Sequence, residues 1–128
     1  MIKDFLILNC IGSKEDKIGL RVKNNFHIYE LDQKVNKNDR LVVNILNLFK
    51  KHKVIIDDKF SIIVNRGPGS FSSIRASFSV AKGMKITKYI NLYSFDNSDL
   101  PQFDLTNIEL LISRGLLQNK LIKPIYLS

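Results

Sequence analysis

The run Phe5-Leu6-Ile7-Leu8 has no polar position. Successive residues of a strand point to opposite sides of its sheet, so a strand that is apolar throughout must be covered on both faces. That requirement places this segment at the centre of a sheet, with structure packed above and below it.

The segments that follow supply the rest of such a sheet. Gly12 to Lys17 is a polar turn. Ile18–Val22 and Phe26–Leu31 are short alternating segments, joined through Lys23 by Asn24-Asn25, a dipeptide that tolerates positive φ and suits a tight hairpin. The first three elements therefore read as an antiparallel meander. Asn38-Asp39 can cap a helix, and Leu41, Val42, Ile45, Leu46, Leu48 and Phe49 recur at helical spacing, predicting a helix over Asn38–Lys53. Ser61–Val64 is the next strand, Ser70–Ile86 the second helix and Tyr89–Tyr93 a fifth strand. The β-β-β-α-β-α-β order predicts an α/β class with a five-stranded mixed sheet and helices packed on it, as in the ribonuclease-H-like and actin-like folds. Asp96–Phe103, with Pro101, reads as a loop. Thr106-Asn107-Ile108-Glu109 has capping-box spacing ahead of a short third helix, and Lys123–Ser128 reads as extended.

A chain of 128 residues with 45% apolar content is long enough for one domain with a real core. One cysteine, Cys10, excludes an internal disulfide and a cysteine-built zinc site. The start, Met1-Ile2-Lys3-Asp4, lacks a signal-peptide pattern, and no apolar run approaches the roughly 20 residues of a membrane span. The expectation is a soluble, cytoplasmic protein with no membrane contact. Twenty basic against 12 acidic residues give +8, which suits contact with nucleic-acid phosphates, although only Lys50-Lys51-His52-Lys53 forms a cluster, at a helix end where cations are favoured anyway.

Asn65–Gly83 is the stretch that suggests chemistry. A Walker loop needs a lysine after its second glycine, but Gly69 is followed by Ser70 and Phe71. A dinucleotide fingerprint needs a third glycine where Ser72 stands. A hydrolase elbow needs a glycine two residues after its serine, and again Ser72 is there. The two histidines, His27 and His52, lack the spacing that puts metal ligands on one helical face, and Asp57-Asp58 reads as a turn. The plainest reading is that Gly67, Pro68 and Gly69 make a sharp turn and Ser70 caps the helix. That helix has two stripes. Phe71, Ile74, Phe78, Ala81 and Lys85 lie on one, and Ser73, Ala76, Ser77, Val80 and Met84 on the other, with Gly83 beside it. One stripe must cover the sheet, and the other is available to a neighbouring helix, from this chain or from a partner.

Gly67–Phe71, followed by Ile74-Arg75 and Ala81-Lys82-Gly83, resembles the "GRGPGSFTGLR" signature and following helix of the bacterial TsaB (YeaZ) family. Pro124-Ile125-Tyr126-Leu127 is similar to that family's closing segment, with Ser128 where arginine is usual. The resemblance covers roughly residues 1–96 and 120–128. It implies an actin-like ATPase (ASKHA) lobe and a role in making N6-threonylcarbamoyladenosine in tRNA. It also implies a non-catalytic subunit without a cofactor, paired through its two helices with a TsaD-like transferase subunit and meeting a TsaE-like ATPase, with tRNA reached through the complex.

Departures from the pattern bear on chemistry. Asn9-Cys10-Ile11 stands where the family has Asp-Thr-Ser, losing the carboxylate that active relatives place near phosphate and metal. Ser72 and Ser73 replace a threonine and a glycine. The resemblance leads us to expect residues 97–128 to form a short tail in place of a second lobe after the lobe of residues 1–96, and no two-lobed nucleotide cleft is expected. The expected partner contacts are Leu41, Ile45, Phe49, Phe71, Ile74 and Phe78, with Arg75 as polar specifier, and a homodimer through the same helices is an alternative. Two further alternatives are a small nucleotide-binding hydrolase using the Gly67–Ser70 turn and a basic RNA-binding module.

Overall fold

The computed structural model describes residues 2–31, 37–88 and 90–119. β1 (Phe5–Asn9) sits in the middle of the sheet, as its two apolar faces require. β2 (Lys17–Val22) runs antiparallel beside it, and β3 (Asn25–Glu30) pairs antiparallel with β2 at the edge. On the other side, β4 (Ser61–Asn65) and β5 (Asn91–Phe95) continue the sheet in parallel, giving the order β3-β2-β1-β4-β5. The five-stranded mixed α/β architecture is the one expected from the element order.

Helices cover both faces. α1 (Lys37–Lys51) and α2 (Phe71–Lys88) lie on one side, where Leu6, Leu8, Ile62 and Val64 meet Leu41, Ile45, Ile74 and Phe78. The alternate residues Phe5, Ile7, Ile63 and Phe95 face the other way and meet Ile108 and Leu111 of α3 (Leu105–Ser113). The period-2 alternation of strand side chains thus splits one apolar run into two cores.

Boundaries differ from expectation for local reasons. The hairpin turn is Lys23-Asn24, both with positive φ, rather than Asn24-Asn25, because Val22 and Asn25 already pair across the strands. Asn38-Asp39 fall inside the first turn of α1. β5 begins two residues later than expected, with Asn91 bonded to the Phe60 carbonyl at 2.9 Å and Phe95 wholly buried. α3 is capped by Asp104, whose carboxylate accepts the Asn107 amide at 2.8 Å, two residues ahead of the Thr106 capping box. The extended segment expected at Lys123–Ser128 lies outside the described residues.

Candidate functional site

The carboxyl ends of β1, β4 and β5 converge, as parallel strands do at the ligand-binding edge of many α/β sheets. Asn65, fully buried at the end of β4, donates through Nδ2 to Asn9 Oδ1 at 2.7 Å and to Asn97 Oδ1 at 3.0 Å. Its Oδ1 accepts the Gly67 amide at 2.9 Å, and the Gly67 carbonyl accepts the Asn97 amide at 3.0 Å. Arg66 forms an ion pair with Asp96 alongside. The mouth of the sheet is closed by side-chain amides that satisfy one another. Gly67 has φ 105°, a conformation that favours glycine, and is joined to Pro68 by a cis peptide bond.

The turn after β1 is filled from within. The Asp16 carboxylate is buried and accepts the amides of Ile11 and Ser13, each at 3.1 Å, and of Gly12 at 2.8 Å. Ser70 N–H donates to the Ile11 carbonyl at 2.8 Å, locking this turn against the Gly67–Ser70 turn. A Cβ on Gly69 would lie 2.6 Å from the Ile11 carbonyl oxygen, and one on Gly12 would lie 2.6 Å from Ser70 Oγ. These two glycines allow turn to pack on turn. Ser70 caps α2 as expected, its Oγ accepting the Ser73 amide at 3.3 Å.

Neither histidine is near Ser70, because His27 and His52 lie together where β3 meets the end of α1. Burial above all, and then the charge of Asp16, push the Cys10 thiol far above its ordinary value, against a hydrogen bond from Ser77, so it stays a protonated thiol. No group of three or more potential metal-ligating side chains occurs among the described residues.

The helix pair corrects most of the expected partner contacts. Leu41, Ile45, Phe49, Ile74 and Phe78 are buried between the helices and the sheet, so they hold the domain together and present nothing to a partner. Phe71, 52% exposed, and Arg75 do lie on the outer surface of α2, where the Arg75 guanidinium carbon sits 5.6 Å from the Phe71 ring centroid. On α1 the outward apolar residues are Val42, Val43 and Leu46, of which Val43 is 53% and Leu46 60% exposed. Their signal was present in the sequence. Every residue from Leu41 to Phe49 except Asn44 and Asn47 is apolar, an arc too wide for one buried face.

No known family profile and no curated protein matches the sequence. Among solved structures, the chain is similar to YeaZ from Pseudomonas aeruginosa, with a TM-score of 0.64 and 17% identity, over 88% of this chain and 50% of that one. It is also similar to a protein from Pseudomonas aeruginosa described as uncharacterized with similarity to peptidase YeaZ, with a TM-score of 0.64 and 18% identity, over 77% of this chain and 44% of that one. At such identities the likeness is one of fold. The chain spans about half the length of these structures.

None of the described helices is long and apolar enough to cross a membrane.

Proposed function

We propose that this chain is a TsaB-like, non-catalytic scaffold in the formation of N6-threonylcarbamoyladenosine in tRNA. It docks a TsaD-like transferase subunit through the outer surfaces of α1 and α2. The observation that carries the reading is the exposed apolar side of α1, with Val43 and Leu46 more than half exposed on a helix whose opposite side is already committed to the core. Isolated exposed apolar residues are ordinary, but a group of them one helical turn apart suits a helix–helix interface. Phe71 and Arg75 on α2 add an aromatic and a forked cation, the residue types that anchor interfaces. A TsaE-like ATPase then meets the pair, and tRNA is modified on the transferase.

The alternative of a nucleotide hydrolase has less support. In the Gly67–Ser70 turn that it would use, the Gly67 amide already donates to Asn65 Oδ1 and the Ser70 amide to the Ile11 carbonyl, so a phosphate there would have to displace both. No cofactor is assigned to the chain.

The test is co-expression of the tagged chain with the TsaD-like protein of the same genome. Retention of that protein in fixed stoichiometry is the expected result. Two folded proteins that fail to associate, or a homodimer that excludes the transferase, would overturn the reading.

A further inference from the structure

Two lysines occupy backbone positions that favour glycine or asparagine. Among the described residues, Lys23, Asn24 and Lys53 are the non-glycine residues with left-handed φ, at 52°, 64° and 51°. An L side chain is crowded there. Lys23 opens the two-residue turn between β2 and β3, a place that asparagine, aspartate or glycine fills most readily. Lys53 follows α1 at the place where helices most readily end on glycine. Its amide donates to the Lys50 carbonyl at 3.3 Å, and the Val54 amide donates to Phe49 at 3.0 Å. α3 ends with the same pair of bonds, Gly115 to Ile112 and Leu116 to Leu111, and there the left-handed residue is glycine, at 68°. One molecule thus closes the same motif with glycine in one helix and with lysine in the other. Strained backbone of this kind collects at functional sites.

The two lysines belong to one cluster. The His52 ring, next to Lys53, stacks on His27 of β3 with centroids 4.0 Å apart and planes 26° apart. A 2.6 Å hydrogen bond joins the Tyr29 hydroxyl to His52 Nε2, and Lys51 Nζ lies 5.7 Å from the Tyr29 ring centroid. Lys23 is close enough for its charge, like that of Lys51, to disfavour protonation of His52. Lys23, Lys51 and Lys53 are all exposed. Among the described residues none of them has a carboxylate partner. The favourable end of a helix accounts for Lys51. It accounts neither for Lys23, on a separate element, nor for the strain at Lys53.

Beside the cluster runs an open groove that Lys23 and Lys53 border together with Lys3, Arg21 and Lys59. Asp4, Asp57, Asp58 and Glu109 line it too, and no ion pair joins them to these cations. Cations bordering a concavity fit a charged strand, whereas a bilayer is met by a protruding surface. We propose that Lys23, Lys51 and Lys53, fixed relative to one another by the His27–His52 stack, form a binding site for the phosphodiester backbone of a nucleic acid. The site belongs to this chain alone and does not depend on partner docking.

The test is fluorescence anisotropy of the purified full chain with a labelled, unmodified tRNA transcript and with a labelled DNA duplex, at two salt concentrations. The two probes separate RNA from DNA as the source of the backbone. The double variant Lys23→Gly/Lys53→Gly relieves both strained positions. It should melt no lower than the parent, lose affinity by about tenfold and lower the log–log salt slope by about two. Lys51→Gln, which leaves both turns intact, should weaken binding in the same direction. Lys14→Gly, in the turn at the opposite end of β1 and β2, should change nothing. The proposal is overturned by equal loss in Lys14→Gly, by unaltered affinity in the double variant, or by a parent that binds phosphatidylserine vesicles and neither nucleic acid. Ile55, 81% exposed beside Lys53, is the residue through which vesicle binding would act.

Discussion

The Asp16 carboxylate accepts the Gly12 amide at 2.8 Å, and the amides on either side of Gly12 converge on the same group at 3.1 Å each. Successive amides aimed at one point form an anion-binding concavity. Here the chain supplies the anion itself, five residues or fewer along its own sequence. The Gly67–Ser70 turn is then pressed onto the filled concavity through Ser70 and Ile11. The two glycine-bearing turns brace each other.

Asp16→Ala removes the acceptor for three part-buried amides at once. Leaving buried donors unpaired costs about 1–3 kcal/mol, so a loss of about 2–3 kcal/mol in urea unfolding is expected. A change below about 0.5 kcal/mol, the scale of an ordinary surface substitution, would show that water replaces the carboxylate freely.

Gly69→Ala tests the contact between the turns. Gly69 does not have a positive φ, so backbone strain is not at issue. The added methyl would fall 2.6 Å from both the carbonyl oxygen and Cβ of Ile11, and backbone there cannot swing aside as a side-chain tip would. Overpacking of this kind costs about 1–3 kcal/mol. An unchanged thermal midpoint would mean that the turn after β1 yields easily.

Stability should depend on His52 in a definite direction. Desolvation first, then the charges of His27, Lys51 and Lys23, hold its pKa below the ordinary 6.5. The groups facing it are the stacked His27 ring, the Tyr29 hydroxyl and Lys51 beyond that ring. The unfolded chain therefore takes up the proton at higher pH than the folded one. This contribution is fully present above pH 6.5 and is lost as pH falls through that value, until the folded state is protonated as well. Urea midpoints taken between pH 7.5 and 5.5 should fall for the parent, and less steeply for His52→Gln. Parallel curves for the two proteins would remove His52 as the cause.

Much of this arrangement was legible in the sequence. Phe5-Leu6-Ile7-Leu8 announced a strand covered on both faces, and it is the middle strand. The position of Ser70 after the Gly67–Gly69 turn predicts a helix cap, and its hydroxyl accepts the Ser73 amide at the start of α2. What stayed hidden depends on contacts that no local pattern records. In the sequence Asp16 is one more polar residue in a turn, because nothing about a lone carboxylate shows that three amides will bend toward it. His27 and His52 lacked metal spacing along the chain, and they stack only because β3 and the end of α1 are brought together in the fold. On α1, periodicity could assign an apolar stripe but not which of two apolar sides the sheet would take.

That last ambiguity yields a paired prediction. Phe78 is buried, with Lys82 Nζ 5.9 Å from its ring centroid on the outside, so Phe78→Ala opens a cavity and should cost about 3–4 kcal/mol. Any loss of partner retention in that variant would follow from unfolding. Leu46, 60% exposed, touches the core little, and Leu46→Ser should leave the unfolding midpoint within about 0.5 kcal/mol of the parent. If the outer side of α1 docks the transferase, this second variant should nevertheless fail to retain it in co-purification. The two substitutions separate folding from binding on adjacent helices. A Leu46→Ser protein that still holds its partner in full stoichiometry would move the interface away from α1, whereas a strongly destabilised one would mean that Leu46 is a core residue.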